Sequence, residues 1–459
     1  WRRLVAPTCP RFPNLPGFQS EWIGTRRSQP PRPRYFPTRL VILSCLAQTW
    51  RTCHRATIGQ SELARDTNVA GYRASRSRHT NHSHRCDELG PLFRCVPLIL
   101  DRLMTRTTHA PPDYSHFDTL LSDSELNLRD RVRSFVRAKV LPLVADCYER
   151  GVFPHEVVGA AAEAGLFGHH GPIEAGLIAF ELERADAGVR SMVSVHTHLA
   201  QSAIRFFGSP DQQATYLPRM ERGETIGAFS LTEPAHGSDP GGLEVTATRT
   251  ASGYVLNGHK KWATNATFAG VTVVWARLID NDEVSPATRD GAGAIRAFLV
   301  DAGAPGFRPV AIHRKLSFRM SASSEIFLEN CEIPLKNRLP GARGLGHALK
   351  CLNEARYGIV WGVAGAAEAC FEEALVYGSS RIQFGRPIAG FQMTQSKLAT
   401  MYAAVVRSKL LALHLGRLKE RGALHHTDVS LGKLNNVRDA LDVARTARTI
   451  LGEIGRAHV

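Results

Sequence analysis

Residues Phe229 to Gly242 read FSLTEPAHGSDPGG, a polar loop in which Thr232, Ser238 and the main-chain amides are grouped among glycines and prolines. Glycine lets backbone approach a ligand closely, and hydroxyls and amides supply short-range donors. Such a loop could hold a planar heterocycle by its hydrogen-bonding edge. Further along, KKWATN (Lys260 to Asn265) adds an aromatic face, a hydroxyl and a carboxamide. Taken bare, the loop would read as a linker between domains, and its density of hydroxyls and amide donors around glycines speaks against that. No G-x-G-x-x-G follows a strand and no G-x-x-x-x-G-K-[ST] occurs, so neither the dinucleotide fingerprint nor the P-loop is present.

These segments need a scaffold, and the periodicity of the chain predicts one. Ser122 and Glu125 have capping-box spacing, and Leu128, Val132, Phe135, Val136 and Val140 share one helical face. HEVVGAAAEAGL, GLIAFELERADA and RSMVSVHTHLAQSAIRFFG are also helical, and SPDQQATYLPRM opens with a Ser-Pro start signal. The pattern then changes. EVTATRT, GYVLNGHKKWAT, VTVVWARL, AIRAFLV, FRPVAI and SSEIFLENCEIP are short, β-branched or aromatic, and punctuated by Gly, Asn and Pro. After GARGLG the helices resume, long and rich in Ala and Leu. The order predicts an α+β fold: helices over 104–227, a β domain over 228–345 and an incomplete helical domain over 346–452. Strand and helix do not alternate, which argues against a doubly wound sheet.

The 459 residues carry a net charge of +15, which would suggest nucleic acid if it were spread evenly. It is not. Residues 1–103 hold 17 Arg, no Lys and 6 acidic residues, a net +11, with 5 of the 9 Cys and 10 of the 25 Pro, and no sustained apolar period. A transit peptide and a basic arm fit this segment less well than translated non-coding sequence ahead of a native start at Met104. On that reading no nucleic-acid partner is expected, and His79, His82 and His84 are not a metal cluster. The remaining Cys147, Cys331, Cys351 and Cys370 have no metal-ligand spacing and read as buried or incidental thiols in a reducing compartment. No run of about 18 uncharged apolar residues occurs, so no membrane span is expected.

The segments LTEPAHGSDP, WATNATFAGVTVVWAR, KLSFRMSASSEIFLENCEIP, CLNEARYGIVWGVAGAAEAC and RIQFGRPIAGFQMTQSKLATM resemble, in order and spacing, those of the acyl-CoA dehydrogenases. The resemblance implies a helical N-terminal domain, a middle β domain, a C-terminal four-helix bundle, FAD as cofactor and a homotetramer. It also implies an acyl-CoA substrate and electron-transfer flavoprotein as the electron acceptor. It assigns Phe229, Leu231, Thr232, Gly237 and Ser238 to the flavin, with Ser238 also near substrate, and Trp262, Ala263 and Thr264 to its other side. Arg381, Gln383, Phe384 and Gln392 would reach the FAD of a neighbouring subunit, Arg381 at the pyrophosphate, where a fixed guanidinium fork suits phosphate oxygens. A cytoplasmic enzyme follows from a start at Met104 if the source is bacterial; a eukaryotic one would lie in the mitochondrial matrix.

DAGVRSMVSVHTHL resembles the glutaryl-CoA dehydrogenases, in which an Arg and a Ser one helical turn on bind the distal carboxylate of the substrate. Here these are Arg190 and Ser194; the plainer alternative pairs Arg190 with Glu183 or Asp186 on the surface. The same segment adds Ser191 to the substrate set; CLNEARYGIVWG and LGRLKE also resemble the glutaryl enzymes, the first adding Leu352, Asn353 and Arg356, whereas RMSASSE and HTHLAQ depart from them. Another short-chain dehydrogenase, an acyl-CoA oxidase, and a non-catalytic flavin or acyl-CoA binder are the other readings. The family's base is a Glu beyond an Ile-Leu-Gly-Gly-Asn-Gly-like turn, which is expected past Gly452. In a minority it directly precedes the position of Arg356, which here holds Ala355; Glu354, about 100° away around the helix, is expected to point elsewhere. Residues 453–459, EIGRAHV, fit nothing in the family and back-translate to a sequencing adapter read in frame. The reading frame is therefore expected to leave the gene at Glu453.

Overall fold

The computed structural model describes residues 113–279 and 294–452. The expectations for residues 1–103, the three histidines included, and for 453–459 lie outside the described residues. Ser122 starts α1 (Asp123–Phe135): its hydroxyl accepts the Glu125 N–H, and the Glu125 carboxylate accepts the Ser122 N–H at 2.7 Å. A π-helical turn over Val136–Val140 leads into α2 (Leu141–Arg150), then α3 (Glu156–Glu163) and α4 (Pro172–Glu183). Nine of the twelve residues of α4 are buried, because it is enclosed by α1 and by two long helices of the C-terminal part.

The single helix predicted for RSMVSVHTHLAQSAIRFFG is three pieces: α5 (Ala187–Ser194), a π-helical turn (Val195–Gln201) and α6 (Ser202–Phe207). Thr197 Oγ1 donates to the Val193 carbonyl at 2.9 Å and Ser202 Oγ to the Thr197 carbonyl at 3.3 Å; such side-chain bonds compete with the helical ladder and help widen the turn. Helix α7 (Pro210–Glu221) is capped by Ser209, whose capping-box partner Gln212 also donates to the carbonyls of Lys336 and Arg338.

The sheet contains β1 (Gly227–Ser230), β2 (Thr246–Arg249), β3 (Gly253–Thr264), β4 (Val271–Ile279), β5 (Ile295–Asp301), β6 (Phe307–Ala311) and β7 (Ser323–Pro334). Strands β1 and β2 lie end to end along β4, both parallel to it, with Ser230 opposite Val274 and Thr246 opposite Arg277. Strand β5 pairs with β4 antiparallel, and β3, β7 and β6 continue the sheet beyond β2. The chain therefore leaves the sheet at Ser230 and returns at Thr246, and the polar loop is the excursion between. Strand β1 went unpredicted because four buried residues are too few to show alternation.

Helix α8 (Leu345–Ser380) follows. A two-stranded hairpin, β8 (Ile382–Gln383) and β9 (Arg386–Pro387), leads to α9 (Gln392–Glu420) and α10 (His426–Leu451). Helices α9 and α10 pack on α8, and α4 lies against both α8 and α9. Close approach depends on missing side chains: a Cβ on Gly365 would stand 2.1 Å from the Phe180 carbonyl oxygen. Helix α9 reaches the length and mean hydropathy (1.2) of a membrane span, although no uninterrupted apolar run announced it; here it is a bundle helix. The four described cysteines are all free and buried, as their spacing suggested.

Candidate active site

Two neighbouring anchors hold the excursion Leu231–Val245 in shape. Glu233, almost wholly buried, accepts the N–H groups of Glu244 (2.5 Å) and Val245 (3.0 Å), drawing the two ends of the loop together. Its carboxylate also meets Lys260 Nζ at 2.8 Å, and Nζ donates to the Leu231 carbonyl at 2.9 Å. Burial opposes charge on both groups. It brings Lys260 down to about 8, the Glu233 charge opposing it, while Lys260 and the two N–H groups more than offset burial for Glu233 and hold its carboxyl below the usual range. Sequence reading missed this pair, yet a signal exists. Tyr254, Leu256 and Lys260 share the inward period-2 face of β3, and a lysine at a core register position needs a carboxylate.

The clamp brings the polar loop and the KKWATN segment side by side, because the Lys261 N–H donates to the Thr232 carbonyl at 2.8 Å. Between the Lys260–Ile326 and Ala263–Ser324 pairs β3 carries one extra residue, and at this bulge Trp262 takes φ +61°. Bulges re-aim side chains, and Trp262 is 54% exposed while its neighbours Lys260 and Ala263 are buried. Thr264 and Thr232 are half-buried beside it; Ala263 is buried, its carbonyl accepting from Ser324 Oγ at 2.6 Å. Phe229 and Leu231 point into the core, Phe229 6.2 Å from the Trp275 ring, and Gly237 and Ser238 lie exposed at the loop tip. An exposed aromatic plane flanked by hydroxyls, with open space at Gly237, fits a flat heterocycle with a polar edge.

Arg190, Ser194 and Glu354 come together on a separate wall. With Val193, Thr197 and His198 of α5 and its π turn, Ile178 and Leu182 of α4, Tyr357 of α8 and Lys419 of α9, they line a cavity of about 430 Å³. Arg190 does pair with Glu183, Nε to Oε2 at 2.8 Å, but not on the surface: both side chains are buried. Asp186 instead caps α5 through the Gly188 N–H. Glu354 does not turn away from this wall; it forms an ion pair with Lys419 on it. The neighbouring Ala355 packs with Leu352 on the cluster that contains Phe229 and Leu231. One face of α8 therefore meets the cavity and the next meets the β domain. Asn353 and Arg356 bond to each other at 3.2 Å, and Ser191 is buried in α5.

Two buried polar residues tie the cavity-lining helix to the β domain, and neither was anticipated. His196 accepts the Gly227 N–H of β1 at Nδ1 (2.8 Å) and meets the Met220 carbonyl at Nε2 (2.9 Å), which assigns the proton to Nε2. Burial pushes its pKa down to about 4, the Met220 carbonyl acting weakly the other way. Asn265, at the end of β3, donates to the carbonyls of Met192 and Gly227 at 3.0 and 3.3 Å. Helix α5 is thus pinned to β1 and β3.

Arg381, Gln383, Phe384 and Gln392 are not brought to this site within the subunit. They occupy the exposed β8–β9 hairpin and the first turn of α9. Phe384 (φ +53°) and Gly385 (φ +77°) form the turn, and the Phe384 ring is 94% exposed.

Residues 122–224 match the acyl-CoA dehydrogenase N-terminal domain, 228–331 the middle domain and 342–458 the C-terminal domain. An acyl-CoA dehydrogenase of Bacillus subtilis is 32% identical over 347 residues, which are 73% of this chain and 89% of that protein. The chain belongs to the acyl-CoA dehydrogenase family. As such it is an oxidoreductase acting on CH–CH donors, and the α+β architecture above is the family fold. Among solved structures, a glutaryl-CoA dehydrogenase of Mycobacterium smegmatis is 46% identical with a TM-score of 0.70, over 75% of this chain and 88% of that one. A second M. smegmatis glutaryl-CoA dehydrogenase structure, in complex with FADH2, is 41% identical with a TM-score of 0.69, over 73% and 86%. Among the described residues no cluster of His, Cys, Asp and Glu could hold a metal ion.

Proposed function

We propose that this acyl-CoA dehydrogenase uses FAD to introduce an α,β double bond into an acyl-CoA whose acyl chain ends in a carboxylate, glutaryl-CoA being the substrate that fits, with decarboxylation to crotonyl-CoA. One observation carries the reading: Arg190 and Ser194, one helical turn apart on α5, line the same apolar-walled cavity, and buried Glu183 fixes the guanidinium. Glu183 takes the Arg190 Nε and one long bond from Nη2 at 3.4 Å, leaving donor capacity on the five-donor guanidinium for a substrate carboxylate. The similarity to glutaryl-CoA dehydrogenases at 46% and 41% identity supports the same substrate.

Phe229, Leu231, Thr232, Gly237 and Ser238, with Trp262, Ala263 and Thr264, would hold the isoalloxazine, and the geometry of the bulge and clamp fits that role. When bound, FAD supplies the acceptor for the hydride leaving the β-carbon. The chain's own residues orient the thioester against that acceptor, exclude water with the α4 wall and hold the distal carboxylate. Leu352, Asn353 and Arg356 of α8 and Ser191 of α5 would complete the substrate set, Leu352 from the side of α8 that packs on the β domain. Glu354 is the acidic side chain on the cavity wall among the described residues, and its oxygen is engaged by Lys419. Arg381, Gln383, Phe384 and Gln392 would complete the FAD site of a neighbouring subunit in a homotetramer, and electron-transfer flavoprotein would reoxidise the cofactor.

The test is turnover of glutaryl-CoA against butyryl-CoA by the full-length enzyme, followed as flavin bleaching. We expect glutaryl-CoA to give the higher kcat/KM. Arg190→Ala should lower that value about 100-fold while leaving butyryl-CoA within a few-fold, since a site built for a polar group loses most when that bond is lost. Preference for butyryl-CoA with no effect of Arg190→Ala would overturn the substrate. A flavin-loaded protein that neither thioester bleaches would indicate binding without catalysis.

A further inference from the structure

We infer that His198 is a specificity-determining residue which, together with Ser194, reads the distal carboxylate of the acyl group; this rests on the glutaryl-type reading above. HTHLAQ is one of the two segments that depart from the glutaryl-type text, and the structure shows where its side chains go. The two histidines of this segment are two residues apart and point in different directions. His196 bonds to the backbone of β1, while His198 lines the cavity with its Nδ1 3.2 Å from Ser194 Oγ. Helix α8 leaves room for the imidazole: a Cβ on Gly358 would stand 3.4 Å from His198 Nδ1 and 3.7 Å from Ser194 Oγ. Around the ring stand Arg190 and Ser194 from α5, His170 from the turn before α4, Glu354 and Tyr357 from α8 and Lys419 from α9.

The pair can serve an anion in either tautomer. If Ser194 donates to Nδ1, Nε2–H is free to donate to a ligand; if Nδ1–H donates to Ser194, the serine hydroxyl is free instead. A neutral ring thus delivers one hydrogen bond and a protonated ring two. Burial, reinforced by Lys419 and Arg190 and opposed by Glu354, keeps the ring neutral without substrate, with a pKa of about 4. A carboxylate against the ring favours the charged form. The complex then holds its proton more tightly than the free protein, so lowering the pH strengthens binding of the dicarboxylate monothioester. The distal carboxylate itself stays ionised above about pH 5. Butyryl-CoA, which lacks that carboxylate, should show no such dependence.

The experiment is calorimetric Kd measurement for glutaryl-CoA and butyryl-CoA on the FAD-loaded full chain between pH 5.5 and 8. In the unaltered protein the glutaryl-CoA Kd should fall with pH and protons should be taken up on binding. His198→Leu should raise the glutaryl-CoA Kd at least about tenfold at pH 6 and leave butyryl-CoA within about twofold. His198→Gln, which keeps a donor but cannot titrate, should retain the pH 8 affinity and lose the pH dependence; it carries the test if the leucine variant does not fold. An unchanged preference and pH slope in the variants would overturn the role of His198 alone. An unaltered protein that binds butyryl-CoA more tightly would overturn the glutaryl-type reading and this inference with it.

Discussion

At the scale of single residues, the proposed substrate wall depends on one glycine. Glu183 lies so close to α8 that a Cβ on Gly362 would fall 1.8 Å from its Oε2. Gly362→Ala must therefore displace the carboxylate that fixes Arg190. We expect it to cost about 1–3 kcal/mol in urea unfolding, as overpacking does, and to weaken glutaryl-CoA binding more than butyryl-CoA binding. His196 makes a separate prediction. Its pKa is about 4 when folded and near 6.5 when unfolded, so between those values the unfolded chain binds more protons. The stability it secures is complete above pH 6.5 and is lost as pH falls toward 4, roughly 3 kcal/mol across the window. Denaturant titrations from pH 7 to 4.5 should show that slope, and His196→Gln should reduce it by about half, since His198 is depressed to about 4 as well.

At the scale of elements, the loop between β1 and β2 is shaped by the Glu233–Lys260 pair rather than by strand pairing. Both side chains are buried, and removing one partner leaves the other uncompensated. Glu233→Gln should destabilise the protein by about 3 kcal/mol, read as a lower Tm. Because the same carboxylate holds the Glu244 and Val245 N–H groups, the variant should also retain less FAD on gel filtration. Loss of stability with full FAD retention would separate the clamp from the flavin site. The bulge at Trp262 and the π turn at Val195–Gln201 are local irregularities, and they turn Trp262 and His198 toward the proposed ligand sites.

At the scale of the whole molecule, the β8–β9 hairpin presents Ile382 and Phe384 to solvent, and Met393 follows at the start of α9. Such a patch suits contact with another subunit, in line with the proposed homotetramer. Phe384→Asp should shift the sedimentation profile from tetramer toward smaller species and lower FAD content together. The exposed ring contributes little to the fold of one subunit, so the secondary structure should be unchanged by circular dichroism.

Local pattern was enough to read the helix, sheet, helix order, since a period of 3.6 gives way to 2 near Ala228 and returns after Gly346. It also exposed the Ser122 and Ser209 helix starts, the two heterocycle-type segments and the one-turn spacing of Arg190 and Ser194. These features depend on neighbours within a few residues. Tertiary structure alone decided that Arg190 is buried against Glu183, that Lys260 meets Glu233, that Glu354 shares a wall with Lys419 and that His198 faces the cavity while His196 does not. Glu354 and Lys419 are 65 residues apart, and Lys260 and Glu233 are 27. Propensity and spacing along the chain leave open which distant donor meets which acceptor; packing of α8 and α9 and closure of the β1–β2 loop settle it.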